Sequence, residues 1–252
     1  MKKLFLTALF LCLQLASFHA TEEDTKYILV TGGAGYIGSH ACKALASSGY
    51  TPVVYDDLST GKEEHVKWGP LEKGDILDII SLKHVFEKYP FIGVCHFAAK
   101  ISVPESVSDP FTYYRVNVSG ALNVLQMAAQ YGVKGFVFSS TCTVFGELQT
   151  TDPVNEQTLY HAVTNPYAQT KKDVEGMLKW AYQATGMPYA ALRYFNVAGA
   201  DPDGELFSPN SAHIIPMLLK KLKMKEPFQL YGTDYNTPDG TCVRDYIHVS
   251  DL

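Results

Sequence analysis

A basic block is missing from this chain of 252 residues, in which 21 lysines and arginines are outnumbered by 26 acidic residues for a formal net charge of -5. Nucleic-acid binding therefore has no electrostatic footprint here. Internal repeats and low-complexity stretches are lacking too, which excludes solenoid and disordered architectures. Cysteine is scarce: there are five, with neither a CxxC pair nor a histidine–cysteine cluster at metal-ligand spacing. Cys42, Cys95, Cys142 and Cys242 are expected to be free thiols, and no metal is expected. No apolar run is long enough for an ordinary membrane span. What remains is 46% hydrophobic and 19% charged, the balance of a globular protein able to bury a sizeable core.

The first twenty residues differ in kind. Lys2 and Lys3 precede an apolar run from Leu4 to Leu15, and small or polar residues follow through Ala20. This is the layout of a secretory signal peptide. Cleavage after Ala20 would place bulky Phe18 three residues upstream, against the small-x-small rule. Export of the chain and a fortuitous extension of a cytoplasmic protein both stay open.

From Tyr27 onward, short apolar runs alternate with amphipathic stretches. Strands are predicted at Tyr27–Val30, Pro52–Tyr55, Phe91–Ala98, Phe136–Ser139 and Tyr189–Tyr194. Helices are predicted at Tyr36–Ser48, after an Asp78 cap, at Asn117–Tyr131 and at Tyr167–Ala184. The alternation implies crossovers and an α/β fold, a doubly wound parallel Rossmann sheet over residues 26–199. Turn signals at Asp201–Gly204 and Thr237–Gly240 mark a smaller lobe over residues 200–252. It is expected to hold a helix at Ser211–Lys223 and a strand at Gln229–Tyr231. Ser250-Asp251-Leu252 ends on a helix-start signal, so this lobe is expected to be incomplete. The sequon at Asn117 falls in a helical pattern and is not expected to carry a glycan.

Two constellations carry chemistry. Gly32, Gly35 and Gly38 are spaced GxxGxxG between the first strand and the first helix, with Tyr36 and Ile37 in the turn. Such glycines permit a tight turn, close approach of a pyrophosphate and close helix packing, while the helix start supplies free amides. Asp56 closes the second strand where a carboxylate grips ribose hydroxyls, which favours NAD over its 2′-phosphorylated relative. Asp75, and with it Ile76, stands shortly before the Asp78 cap, where Asp75 could reach the adenine edge; an ordinary turn residue is the competing reading of Asp75. The second constellation is Tyr167 and Lys171, four residues apart on one helix face. A neighbouring ammonium lowers a phenol's pKa and fits it to take a proton from a sugar hydroxyl. Thr141, after a strand ending in Ser139-Ser140, adds a hydroxyl at the same sheet end. A YxxxK spacing alone usually marks a solvated helix face, so its weight comes from this position.

Longer motifs now accumulate: TGGAGYIGSH at 31–40, YDDLSTG at 55–61, HFAA at 96–99, FSSTCTVFGE at 138–147, NPYAQTKKDVE at 165–175, LRYFNVAGA at 192–200 and DGTCVRDYIHVSDL at 239–252. From Tyr27 to Leu252 the chain resembles the extended short-chain dehydrogenase/reductase family, and within it the UDP-glucose 4-epimerases. The resemblance implies epimerisation at C4 of a UDP-hexose through a 4-keto intermediate and transient NADH, in the cytoplasm. Tyr167 would be the catalytic base, Lys171 its activator, and Thr141 a partner of the sugar oxygen. Phe97, Ala98, Asn117, Ser139 and Phe195 match cofactor-contacting positions, although the two phenylalanines could equally serve core packing. Asn196, His213, Ile214 and Arg244 match positions near the UDP-sugar, Arg244 being suited to its diphosphate. A homodimer is left open. A 4,6-dehydratase would carry Asp-Glu after the threonine, where this chain has Cys142-Thr143. Epimerisation of UDP-glucuronate or UDP-arabinose stays open beside the UDP-hexose reading, as does an inactive NAD-binding remnant.

Overall fold

The computed structural model describes residues 25–147, 153–208, 213–230 and 232–252. The N-terminal leader lies outside the described residues. Six parallel strands, β1 (Tyr27–Thr31), β2 (Thr51–Asp56), β3 (Leu71–Lys73), β4 (Phe91–His96), β5 (Phe136–Ser139) and β6 (Tyr189–Leu192), form one sheet in the order β3-β2-β1-β4-β5-β6. This is the doubly wound order, which reverses direction between β1 and β4.

The pleat explains both layers. Successive side chains of a strand point to opposite faces. Leu29, Val53, Tyr55, Val94, Phe136 and Phe138 face one side, where they pack with residues of helices α2 (Ile79–Lys88), α5 (Ala121–Gln130) and α6 (Pro166–Thr185). Ile28, Val30, Val54 and Cys95 face the other, against Cys42 and Leu45 of helix α1 (Tyr36–Ser47). Each aliphatic or phenylalanine side chain fully buried there contributes about 1.5–3 kcal/mol.

The caps expected from sequence are present. The Asp78 carboxylate accepts from the amides of Ile80 and Ser81, and the Asn165 side chain accepts from Ala168 ahead of Pro166 at the start of α6. Strand β4 stops at His96, two residues early, because the amides of Phe97 and Ala98 both turn back to the Thr31 carbonyl. The predicted helix from Asn117 starts sooner: α3 (Val103–Ser108) and α4 (Pro110–Tyr113) precede it, and a π-helical stretch, Tyr114–Gly120, carries α4 into α5.

The C-terminal part differs more. Strands β7 (Asn196–Ala198) and β8 (Tyr246–His248) pair as a small parallel sheet, and α7 (Ile214–Met224) lies between them in sequence. Gln229 and Leu230, expected in a strand, are irregular; Ser211, Ala212 and Tyr231 lie outside the described residues. A single short run without a pairing neighbour gains no ladder bonds. Helix α1 is tied to the chain after β7 by two contacts. Tyr36 donates its hydroxyl to the Gly199 carbonyl at 2.7 Å, and Lys43 Nζ reaches Asp201, Asp203 and Glu205 at 2.8, 2.7 and 3.1 Å. No helix among the described residues is long and apolar enough to cross a membrane. The four described cysteines are free thiols.

Candidate active site

Register places the two constellations at one edge. Thr31 of β1 pairs with His96 of β4, and His96 with Phe138 of β5. Gly32, Phe97 and Ser139 are each the next residue, so the glycine turn, Phe97–Ala98 and Ser139–Thr141 leave the same C-terminal end of the sheet, where open α/β folds bind ligands.

The glycine turn is built for close approach. Gly32 has φ +71°, and a Cβ there would lie 2.6 Å from the Ala98 nitrogen; one on Gly38 would lie 2.2 Å from the Gly32 carbonyl oxygen. Only glycine fits at either point. A Cβ on Gly35 would meet nothing nearer than 3.2 Å, and Gly35 caps α1 without a side-chain bond. The first bond of α1 runs from Ser39 to Gly35, which leaves the amides of Tyr36, Ile37 and Gly38 ahead of it. These uncapped amides at a helix start fit a pyrophosphate.

Asp56 is buried at the end of β2. Its carboxylate accepts from the Ala34 amide at 3.0 Å and the Leu58 amide at 2.9 Å. Burial pushes its pKa up, and the two amides work against that. The charge thus stands directly behind the glycine turn. Asp75 is exposed and holds a turn through the Leu77 amide at 2.9 Å. The Ile76 side chain belongs to the core, wedged beneath Gly120. Asn117 commits both amide protons, to the Lys100 carbonyl at 3.0 Å and Thr170 Oγ1 at 3.1 Å, while its oxygen accepts from the Lys100 amide at 2.8 Å. It brackets the 98–103 loop to α6, and its burial is incompatible with a glycan in this fold.

Tyr167 and Lys171 project from α6 toward the end of β5. The Tyr167 hydroxyl lies near enough to the Thr141 hydroxyl for the latter to act on its pKa, while Thr141 Oγ1 accepts from the Thr143 amide at 3.2 Å. Lys171 Nζ donates to the Ser139 carbonyl at 2.7 Å and stands 4.9 Å from the Phe138 ring centre and 6.0 Å from that of Tyr167. The expected lowering of the phenol's pKa by the lysine is not what the protein alone produces. Burial pushes Tyr167 up to about 12, and the neighbouring Thr141 hydroxyl pulls it down. Burial also brings Lys171 down to about 7; its ammonium donates to a carbonyl, and among the described residues it has no acidic partner.

The structure adds groups that spacing did not reveal. His96 is buried and bonded to Thr31 Oγ1 at 2.6 Å, and burial pushes its pKa down to about 3, so it stays neutral. Tyr194 bonds Ser139 Oγ through its hydroxyl. Glu175, one turn beyond Lys171, holds Arg193 and Ser140. The expected sugar-side residues are looser. Phe195 is partly exposed beside Tyr194; Asn196 is fastened to the Asp245 carbonyl at 2.9 Å. Arg244 is exposed, near enough to Cys142 for its charge to act on the thiol. His213 and Ile214 begin α7, none of whose residues is buried. A cavity of about 410 Å³ opens between Leu192–Phe195 and Asp245–Ile247, next to this edge.

Comparison with known proteins agrees with this geometry. A UDP-glucose 4-epimerase of Rhizobium meliloti (strain 1021) is 50% identical over 228 residues, 89% of this chain and 69% of that protein. One from Mus musculus is 39% identical over 246 residues, 89% of this chain and 70% of that protein. The crystal structure of the Brucella ovis UDP-glucose 4-epimerase in complex with NAD superposes with a TM-score of 0.85 at 46% identity, covering 90% of this chain and 70% of that one. The pattern of the NAD dependent epimerase/dehydratase family matches residues 28–252, and the chain belongs to that family.

Proposed function

We propose that the chain interconverts UDP-galactose and UDP-glucose at C4 of the hexose, using NAD bound at the glycine turn. The observation that carries this reading is that Tyr167, Lys171 and Thr141 meet at the end of β5, with Lys171 fixed to the Ser139 carbonyl, at the same sheet edge as the open amides of α1. The uncapped helix start, the glycines that admit no Cβ and the buried Asp56 fit a dinucleotide without a 2′-phosphate, which that carboxylate would repel. Phe97, Ala98 and Ser139 flank the place of its nicotinamide end. Asp75 and Ile76 would serve its adenine end, Ile76 only through its backbone.

When bound, NAD supplies the redox partner for sugar C4 and a positive ring close to the active-site phenol. Tyr167 takes the proton of the 4-hydroxyl, and Thr141 holds the same oxygen by a shared hydrogen bond. The ligand's positive charge offsets the burial that raises the phenol. Lys171 fixes Ser139, and through it the end of β5. Tyr167 returns the proton to the 4-oxygen when the 4-keto sugar is reduced on its other face. Residues 200–252 serve as the start of a sugar-binding lobe, with Arg244 against the diphosphate and Asn196, His213, Ile214 and Phe195 around the hexose and its approach. A dehydratase is disfavoured, since Cys142 and Thr143 offer no acidic proton carriers beside Thr141.

Purified chain supplied with NAD is expected to convert UDP-galactose to UDP-glucose, read by coupled oxidation of the product. Retention of NAD without any conversion would reduce it to a binding module.

A further inference from the structure

One face of α6 carries three residues at helical spacing: Tyr167, Lys171 and Glu175. Each meets a successive part of the strand end beside it. Lys171 donates to the Ser139 carbonyl at 2.7 Å, Ser140 donates its hydroxyl to Glu175 Oε1 at 2.5 Å, and the Tyr167 hydroxyl lies near that of Thr141. Glu175 is then fixed from behind. Arg193, at the end of β6, donates through Nε at 3.0 Å to one of its oxygens and through a terminal nitrogen at 2.8 Å to the other. Tyr160 donates to the second oxygen at 3.1 Å, and its hydroxyl also meets Arg193. The guanidinium lies 5.3 Å from the Phe145 ring centre and 5.0 Å from that of Tyr160. Both members of the ion pair are largely buried, so the two-point geometry is held in a medium that makes it stiff.

We propose that Glu175 is a positioning residue: braced by Arg193 and Tyr160, it holds Ser140 and thereby sets Thr141 against the Tyr167 hydroxyl. The proposal rests on the reading of Tyr167 and Thr141 as the reacting pair. A carboxylate at this place satisfies four donors from three separate segments, which no purely local helix contact requires. Phe145 and Tyr160, stacked at 5.9 Å, carry the brace into the segment that precedes α6.

Ser140→Ala removes one bond and leaves the ion pair intact, so it is the first variant. Glu175→Gln is the second, keeping shape while dropping charge. The readouts are the carbon-13 shift of Tyr167 Cζ at neutral pH, assigned by Tyr167→Phe, and kcat and KM for UDP-galactose with NAD supplied. Both variants are expected to move the Tyr167 resonance and to lower kcat about 10- to 100-fold, with KM little changed. A folded variant whose Tyr167 resonance stays in place overturns the proposal, whatever its kcat. Loss of fold in both variants overturns it as well, since the role would then be stability. A moved resonance in a parent chain without turnover would keep this inference and remove the reading of the reaction.

Discussion

Tyr167→Phe is expected to lower kcat for UDP-galactose by about 10²–10⁴-fold, the usual worth of a positioned general base. The ring is partly buried at the start of α6, and phenylalanine keeps its packing. What is lost is the single hydroxyl that stands near Thr141. Binding of NAD should stay near the parent's, because the glycine turn, Asp56 and the α1 amides are untouched. Fluorescence titration with NAD and a coupled assay on the same preparation separate the two quantities. Retained turnover would move the proton transfer to another group, of which Tyr194 stands nearest in kind.

The second large effect concerns Lys171. In the folded chain its pKa falls from 10.5 to about 7. Below pH 7 both folded and unfolded forms carry the proton, and folding bears the full cost of burying the ammonium. Between 7 and 10.5 the unfolded chain binds more protons than the folded one, so stability rises with pH. Above 10.5 the cost is gone. Lys171→Met removes it at every pH. The variant's stability relative to the parent is therefore expected to be highest near pH 6 and to decline by a few kcal/mol toward pH 10.5. Loss of the bond to the Ser139 carbonyl shifts the whole curve by a constant and leaves this slope alone. Urea melts of both proteins across that range measure it. Turnover should fall in the same variant about 10²-fold or more, stability and activity moving in opposite directions at neutral pH. A pH-independent difference between the two proteins would mean that Lys171 keeps its ordinary basicity.

Much of this architecture could be read from local pattern. The runs at Tyr27, Pro52, Phe91, Phe136 and Tyr189 are β-branched or aromatic and bounded by turn residues, and each is a strand. The glycine turn was legible because strand, loop and helix follow in fixed order. The pair at 167 and 171 was legible because its partners are four residues apart on one helix. What was hidden depends on distant chain. Glu175 four residues after Lys171 reads as an ordinary surface ion pair, whereas it turns instead to Arg193, which no spacing connects to it. The pairing of β7 with β8 joins segments about fifty residues apart. Asn117 also ties Lys100 to Thr170, a link between distant segments that no spacing reveals. The pKa of Tyr167 could not be read either, since it is governed by burial, which every element packed around it sets.

The most direct test follows the hydrogen on C4. UDP-galactose bearing deuterium at that carbon should yield UDP-glucose with the label still on C4, because oxidation and reduction occur within one closed site and only the hydroxyl proton passes through Tyr167. Proton and deuterium NMR of the product decide it. Replacement of the label by solvent hydrogen would contradict the account, since C4 would then be exchanging a proton, not being oxidised and reduced.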